Sequence, residues 1–414
     1  MPAQPEGETP PLDGRLPLSV GEGAADRTLS LYVHVPYCRV RCGYCDFNTY
    51  TAEELGPGAN RADYSENLAR ELDLSLRVLE ESGAGAGPGG REVSTIFFGG
   101  GTPTLLSADV LAGVLRDIRA RFTLAAGAEV TTEANPDTLS PEYLRTLADA
   151  GFTRISLGMQ SAVPHVLRTL DRTHEASRIP EVVSWVKDAG LQVSLDLIYG
   201  TPGESLEDWR TSVEAALACA PDHVSAYSLI VEPGTRMGVQ VRRGELPMPD
   251  EDDLADKYEL VDELLAGAGY RWYEVSNWSR SEDTRCAHNM AYWRNADWWG
   301  YGPGAHSHIG GVRFWNAKHP RAWSDRLTAG HSPAVGREVL DVPTQEIERI
   351  MLAARITHEL RTDSLPAGSG ALLAEFAGDG LLDPEALAAG WFEPTLSGRL
   401  LADHMVRRLT DLIA

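Results

Sequence analysis

The sequence predicts an α/β fold: a partial (β/α)6 TIM-like barrel followed by a C-terminal, mostly helical, winged-helix-like module. Three observations predict it. Six short apolar runs alternate with longer amphipathic stretches between residues 30 and 275. The junctions after these runs are rich in Gly, Cys, Asn and Asp, as expected at the loop end of a barrel of βα units. Beyond residue 280 the alternation stops, and His, Trp and Gly dominate before helical periodicity returns at 343.

Taken in order, residues 1–28 carry Pro, Gly and acid, without a basic start or an apolar stretch, and read as a disordered tail rather than a leader. Strands are expected at 30–35, 94–98, 129–132, 153–157, 192–197 and 223–228. Helical patterns fill 64–80, 108–121, 141–150, 177–189 and 206–219. Helices of that length between strands call for parallel pairing. Six units fall short of the closed eightfold barrel, so a partial one is expected across 29–280. The stretch SGAGAGPGG at 82–90 reads as a flexible insertion. Residues 281–342 form a linker region packed on the barrel, and 343–414 a helical module with a short β wing.

Composition excludes several classes. Of 414 residues, 60 are Asp or Glu and 37 are Lys or Arg, a net charge of −23 that repels phosphate backbones and argues against nucleic acid. No apolar run approaches the ~20 residues of a membrane span, although a peripheral membrane contact is left open. Five cysteines, with no export signal, do not make a disulfide framework and suggest a cytoplasmic protein. Cys219 lies in an apolar helical run and reads as core.

Three of the five fall within eight residues: Cys38, Cys42 and Cys45, spaced C-x3-C-x2-C. Structural zinc prefers four ligands, often as two C-x2-C pairs, and only one pair is present. Three thiolates suit three corners of an iron–sulfur cubane and leave one iron open. A zinc loop completed by a distant His, or free thiols, is the alternative on spacing alone.

The loop resembles the signature of the radical S-adenosylmethionine (SAM) superfamily, including the aromatic Tyr44 before the third Cys. The resemblance implies a [4Fe–4S] cluster whose open iron is chelated by SAM. In that family, cluster reduction cleaves a C–S bond to give a 5′-deoxyadenosyl radical. The phrases FGGGTPT at 98–104, TEANP at 132–136, SLGMQS at 156–161 and DLIYGTPG at 196–203 are similar to the branch containing oxygen-independent coproporphyrinogen III dehydrogenase. By that match Tyr32 lies near the cofactor. Gly100, Gly101 and Thr102 line its methionyl part, with Glu133 as a further polar contact. Gln160 and Asp196 hold the ribose, and Arg172 the carboxylate. Arg is the residue best suited to a carboxylate, and Gly-rich turns allow close backbone approach.

Within that branch the dehydrogenase carries a further Cys two residues after the third cluster Cys, where this chain has Phe47. The Asp46-Phe47 pair, the phrase YEVSN at 273–277 and the His-Asn-x-x-Tyr-Trp pattern of His288–Trp293 are similar to the haem-chaperone (HemW) subgroup. The dehydrogenase also begins with a longer structured region, and none is expected here before Leu31. The resemblance implies haem as cargo, delivered to apo-haemoproteins such as respiratory enzymes. It also implies a flavodoxin or ferredoxin as electron donor. His288 is the expected axial ligand, since imidazole binds haem iron and flanking Tyr292 and Trp293 could stack on a macrocycle. Cys286 as ligand, and a structural role for His288, stay open, as does the place of His34. The rival readings are the dehydrogenase itself and another radical porphyrin-modifying enzyme.

Overall fold

The computed structural model describes residues 6–55, 63–87 and 89–413. Six strands run parallel in chain order: β1 (Leu29–Val35), β2 (Val93–Gly100), β3 (Leu124–Ala134), β4 (Arg154–Gln160), β5 (Gln192–Tyr199) and β6 (His223–Ser228). Five contain the whole run expected for them, and β4 starts one residue later than its expected 153–157. Alternation sorts their two faces. On β1, Leu31, Val33 and Val35 join the main core, whereas Tyr32 between them faces a central cavity.

Helices Tyr64–Glu81, Ala108–Arg119, Pro141–Ala150, Ile179–Asp188 and Leu206–Ala218 lie between the strands. Several starts are written in the sequence. The hydroxyls of Ser107, Ser140 and Ser205 accept from the backbone N–H of Val110, Tyr143 and Asp208. Each such cap is worth about 1 kcal/mol.

The sheet extends past both ends of this parallel set. Beside β6 lie antiparallel β8 (Asn277–Ser279) and β7 (Arg271–Glu274). Beside β1 lies parallel β9 (Asp297–Tyr301), then antiparallel β10 (His306–Ile309), β11 (Val312–Asn316) and β12 (Ala334–Val339). The hydrogen-bonded order runs β12-β11-β10-β9-β1-β2-β3-β4-β5-β6-β8-β7 and does not close on itself. The chain beyond 280 therefore re-enters the barrel sheet as strands. Gly310 and Gly311, both at positive φ, make the tight turn between β10 and β11.

The segment expected as a disordered tail is placed differently. Residues 1–5 lie outside the described residues, but Leu16, Val20 and Ala24 are buried in the main core, and Glu8 pairs with Arg337 on β12. The reason is a seam that needs covering. Asp297 at the start of β9 is fully buried and is neutralised by Arg27 at 3.1 Å and Arg91 at 2.7 Å. Arg27 also donates to the carbonyls of Val20 and Glu22, drawing the segment down. Within 82–90, Ala84 and Ala86 are likewise buried, while residue 88 lies outside the described residues.

The C-terminal residues form helices Val342–Ala353, Ser369–Gly378, Pro384–Ala388, Leu396–Leu400 and Ala402–Thr410 around their own core of Leu360, Phe376, Leu382, Phe392, Met405 and Leu409. An antiparallel bridge joins Leu382 to Pro394. Among the described residues no helix is long and apolar enough to cross a membrane.

Candidate cofactor-binding site

The strand ends enclose a cavity of about 560 Å³. All thirteen residues singled out from the sequence line it: Tyr32, Cys38, Cys42, Tyr44, Cys45, Gly100, Gly101, Thr102, Glu133, Gln160, Arg172, Asp196 and His288. They come from five strands, the loops that follow them, and one later helix.

The cysteine loop is held by short backbone bonds. Cys38 N–H donates to the Tyr50 carbonyl at 3.0 Å, and Tyr50 N–H to that of Pro36 at 2.7 Å. Cys45 N–H donates to the Cys42 carbonyl at 3.2 Å, and the Gly43 carbonyl accepts from Met237 N–H at 2.8 Å. The glycine turn after β2 is zipped onto this loop, with Gly101 N–H donating to Val35 and Thr102 N–H to Tyr37. A Cβ on Gly101 would meet the Tyr37 carbonyl oxygen at 2.4 Å and the Cys38 sulfur at 3.0 Å. Any other residue there would push the turn off the thiols.

Arg172 lies against the same loop. Its Nη1 is 3.7 Å from Cys42 Sγ, and its Nη2 donates to the Gly158 carbonyl at 3.1 Å. Its Nε is buried without a partner. Burial pushes the Cys38 thiol up to about 11 and raises Cys45 as well. Metal ligation favours the thiolate, so binding here releases protons. Among the described residues no three His, Cys, Asp or Glu side chains converge on a single-ion position. A cubane asks for no such convergence, because each corner takes one thiolate.

Deeper in, the carboxylates are held by hydrogen bonds from the strands. Glu133 Oε2 accepts from Gly100 N–H at 2.9 Å. Burial, reinforced by the nearby Asp196, raises Glu133 to about 8. Asp196 accepts from Ser156 Oγ at 2.7 Å and Ser194 Oγ at 3.4 Å, and burial raises it too. Gln160 ends β4 at φ 61, a left-handed conformation unusual for a non-glycine residue, where the β4–β5 register slips. That bulge turns its amide toward the cavity.

His288 lies at the cavity floor. Helix Ala287–Trp293 closes this end, its first N–H groups held by the Glu129 carboxylate, 3.0 Å from Ala287 N and 3.2 Å from His288 N. His288 is buried, and both ring nitrogens are bonded, Nδ1 to Thr95 Oγ1 at 2.7 Å and Nε2 to Tyr292 OH at 2.9 Å. Its ring stacks on Phe97 at 5.1 Å, and burial lowers it to about 3. Cys286 is buried at the start of the same helix, its sulfur 3.6 Å from Glu129. His34 is buried with both ring nitrogens bonded, to Tyr32 OH and the Asn48 carbonyl.

Comparison with known proteins gives this arrangement a family. Residues 32–216 match the Radical SAM superfamily. The chain is 46% identical over 380 residues to the haem chaperone HemW of Mycobacterium tuberculosis, covering 92% of this chain and 94% of that one. The chain belongs to the HemW family. The Escherichia coli HemW is 37% identical over 301 residues, covering 71% of this chain and 75% of its own length. In the solved structure of coproporphyrinogen III oxidase (HemN) from Escherichia coli, the same fold recurs with a TM-score of 0.77 at 23% identity, over 96% of this chain and 92% of that one.

Membership of the HemW family, within the radical SAM superfamily, implies a [4Fe–4S] cluster and SAM. The residues present fit both: three cavity-facing thiols on a braced loop, a glycine turn with no room for a side chain, and a cation and acids at separate levels. Sequence reasoning missed Phe97, Ser156, Ser194, His223, Ser225 and Arg154, which also line the cavity. Strand alternation was the available signal, since 154, 156, 158 and 160 share one face, as do 194 and 196.

Proposed function

We propose that this chain is a haem chaperone: it carries a [4Fe–4S] cluster on Cys38, Cys42 and Cys45, binds SAM across the strand ends, and passes haem to apo-haemoproteins such as respiratory enzymes. The observation that carries the reading is the convergence of the three thiols, Arg172, Glu133 and Asp196 on one cavity in a chain that resembles HemW along nearly its whole length. Arg172 would pair with the cofactor's carboxylate and Glu133 with its ammonium. Asp196 and Gln160 would hold the ribose diol, with Gly100–Thr102 lying along the methionyl chain and Tyr32 beside it. When bound, the cluster supplies an electron to the sulfonium of SAM. The protein braces the thiols on their loop and holds the acids by hydrogen bonds from the strands. A flavodoxin or ferredoxin is the class of donor that suits such a cluster, and the cytoplasm is the compartment that keeps thiols reduced.

The test is anaerobic reconstitution, then incubation with haem and, separately, with coproporphyrinogen III. One four-iron cluster per chain, a haem Soret band and no decarboxylated product are expected. Replacing Cys38, Cys42 and Cys45 by Ala should abolish the cluster by iron and sulfide analysis. Turnover of coproporphyrinogen III would overturn the chaperone assignment in favour of the dehydrogenase. One zinc without sulfide would end the cofactor assignment.

A further inference from the structure

The SAM contacts named above use the loop end of the cavity and leave its floor unassigned. Native proteins rarely leave a buried polar atom without a partner, so such atoms in a cavity wall point to a ligand. Among the described residues, three side chains with an unpartnered buried atom line the cavity: Arg172, Thr131 and Arg154. Arg172 lies against the cysteine loop. The other arginines with an unpartnered nitrogen, Arg41, Arg91, Arg313 and Arg399, do not line the cavity, and each pairs with a carboxylate.

Thr131 on β3 and Arg154 on β4 are register partners on neighbouring strands, so they stand side by side at one level. Arg154 opens β4 and Gln160 ends it, which puts the pair at the opposite end of that strand from the ribose contact. Thr131 is fully buried and Arg154 is 2% exposed. All the hydrogen bonds of Arg154 pass through one nitrogen. Its Nη2 donates to Gln192 Oε1 at 2.8 Å and to the carbonyls of Thr284 at 2.8 Å and Arg285 at 3.0 Å, and it lies 3.7 Å from the Glu129 carboxylate. Nε and Nη1 have no partner, and neither has Thr131 Oγ1. Glu129 is shared with the Cys286 thiol and the N–H groups of Ala287 and His288.

A guanidinium is ionised at any physiological pH, and unused N–H groups beside an unused hydroxyl make a donor set for an anion, a carboxylate above all. The neighbours do not compete for it. His223 lines the same end with both ring nitrogens bonded, and burial, then Arg154, lower it well below its ordinary value, so it stays neutral. Asp196 is near enough to feel Arg154 but is already held by Ser156 and Ser194. On its other side Thr131 is the register partner of Phe97, on which the His288 ring stacks. The donor set therefore adjoins the helix Ala287–Trp293, whose pattern the family resemblance links to the cargo.

We propose that Arg154 and Thr131 form a carboxylate-binding subsite at the cavity floor, which takes one propionate arm of the haem while the macrocycle meets the helix Ala287–Trp293. This rests on the chaperone reading and adds the group by which the cargo is oriented. The experiment titrates the full-length, anaerobically reconstituted protein with hemin and, separately, with hemin dimethyl ester, in which both carboxylates are blocked. The wild-type chain should bind hemin about tenfold or more tighter than the ester. Arg154→Gln should bring that ratio close to one, and Arg154→Lys should restore part of it. Thr131→Val removes a hydroxyl that has no protein partner, so it should keep the fold and lower the ratio several-fold even if Arg154→Gln fails to fold. SAM affinity should be the same in all of them. Equal binding of hemin and ester by the wild-type chain, or a wild-type ratio in Thr131→Val, overturns the subsite. A fall in SAM affinity with the ratio intact overturns it too, by assigning the donors to the cofactor's carboxylate. Failure of the wild-type chain to bind either compound would instead remove the chaperone reading, and the subsite with it.

Discussion

Glu133 shows how much a single side chain is set by its surroundings. Half-buried, close to Asp196 and given one backbone donor, it is raised to about 8. A ligand ammonium would favour the carboxylate. Below that pH, binding must therefore displace the proton, so SAM affinity should rise from pH 6 toward about 8 and fall above it as the α-amino group of the ligand is itself deprotonated. Calorimetry in buffers of different ionisation enthalpy should detect the released proton, and Glu133→Gln should flatten the profile. A profile unchanged by that substitution would remove Glu133 from contact with the ammonium. The residues were legible to different degrees for physical reasons. Cys38, Cys42 and Cys45 announce themselves by spacing, and Gly100–Thr102 by composition. Ser156 and Ser194 are ordinary strand residues until Asp196 is placed between them. His288 is identifiable as a residue of interest, but whether its nitrogens are free depends on Thr95, 193 positions away.

At the scale of elements, the parallel strands and their helices follow from periodicity because each unit is long enough to show it. The strands after 280 do not. β9, β10 and β11 are four or five residues long, and β9 and β11 carry adjacent aromatics that face both ways, so no period of two stands out. The floor helix Ala287–Trp293 is two turns long and has no Ser, Thr or Asp start signal. Its acceptor, Glu129, comes from β3 instead. Glu129→Ala should strip three donors of that partner and destabilise the fold by about 1–3 kcal/mol, with faster amide exchange confined to 286–293. Uniform exchange along the chain would show that the floor does not move as a unit.

At the scale of the molecule, the open sheet is held at the β1–β9 join by a buried charge cluster rather than by closure. Asp297 receives Arg27, Arg91 and the Gly310 N–H. Removing one partner of a buried pair costs about 3–5 kcal/mol. Asp297→Ala should therefore lower stability by that much in chemical denaturation, whereas Asp13→Ala, at an exposed pair, should change it by under about 1 kcal/mol. Equal effects would show that the join is not a weak seam. The sequence signals here are diffuse: one Asp and two Arg more than 200 positions from it, none in a recognisable pattern. The acidic, Pro-rich start reads as disorder because its few apolar residues are sparse, yet Leu16 and Val20 suffice to cover that seam.

The amide of Asn48 has a consequence at larger range. It joins the loop that carries the three thiols to the carbonyls of Pro303 and Lys318, 255 and 270 positions further along the chain, so the added strands beside β1 brace the cysteine loop. Asn48→Ala should loosen both partners together, with faster amide exchange in 38–50 and in 302–318; faster exchange in only one of them would show that the amide does not join them.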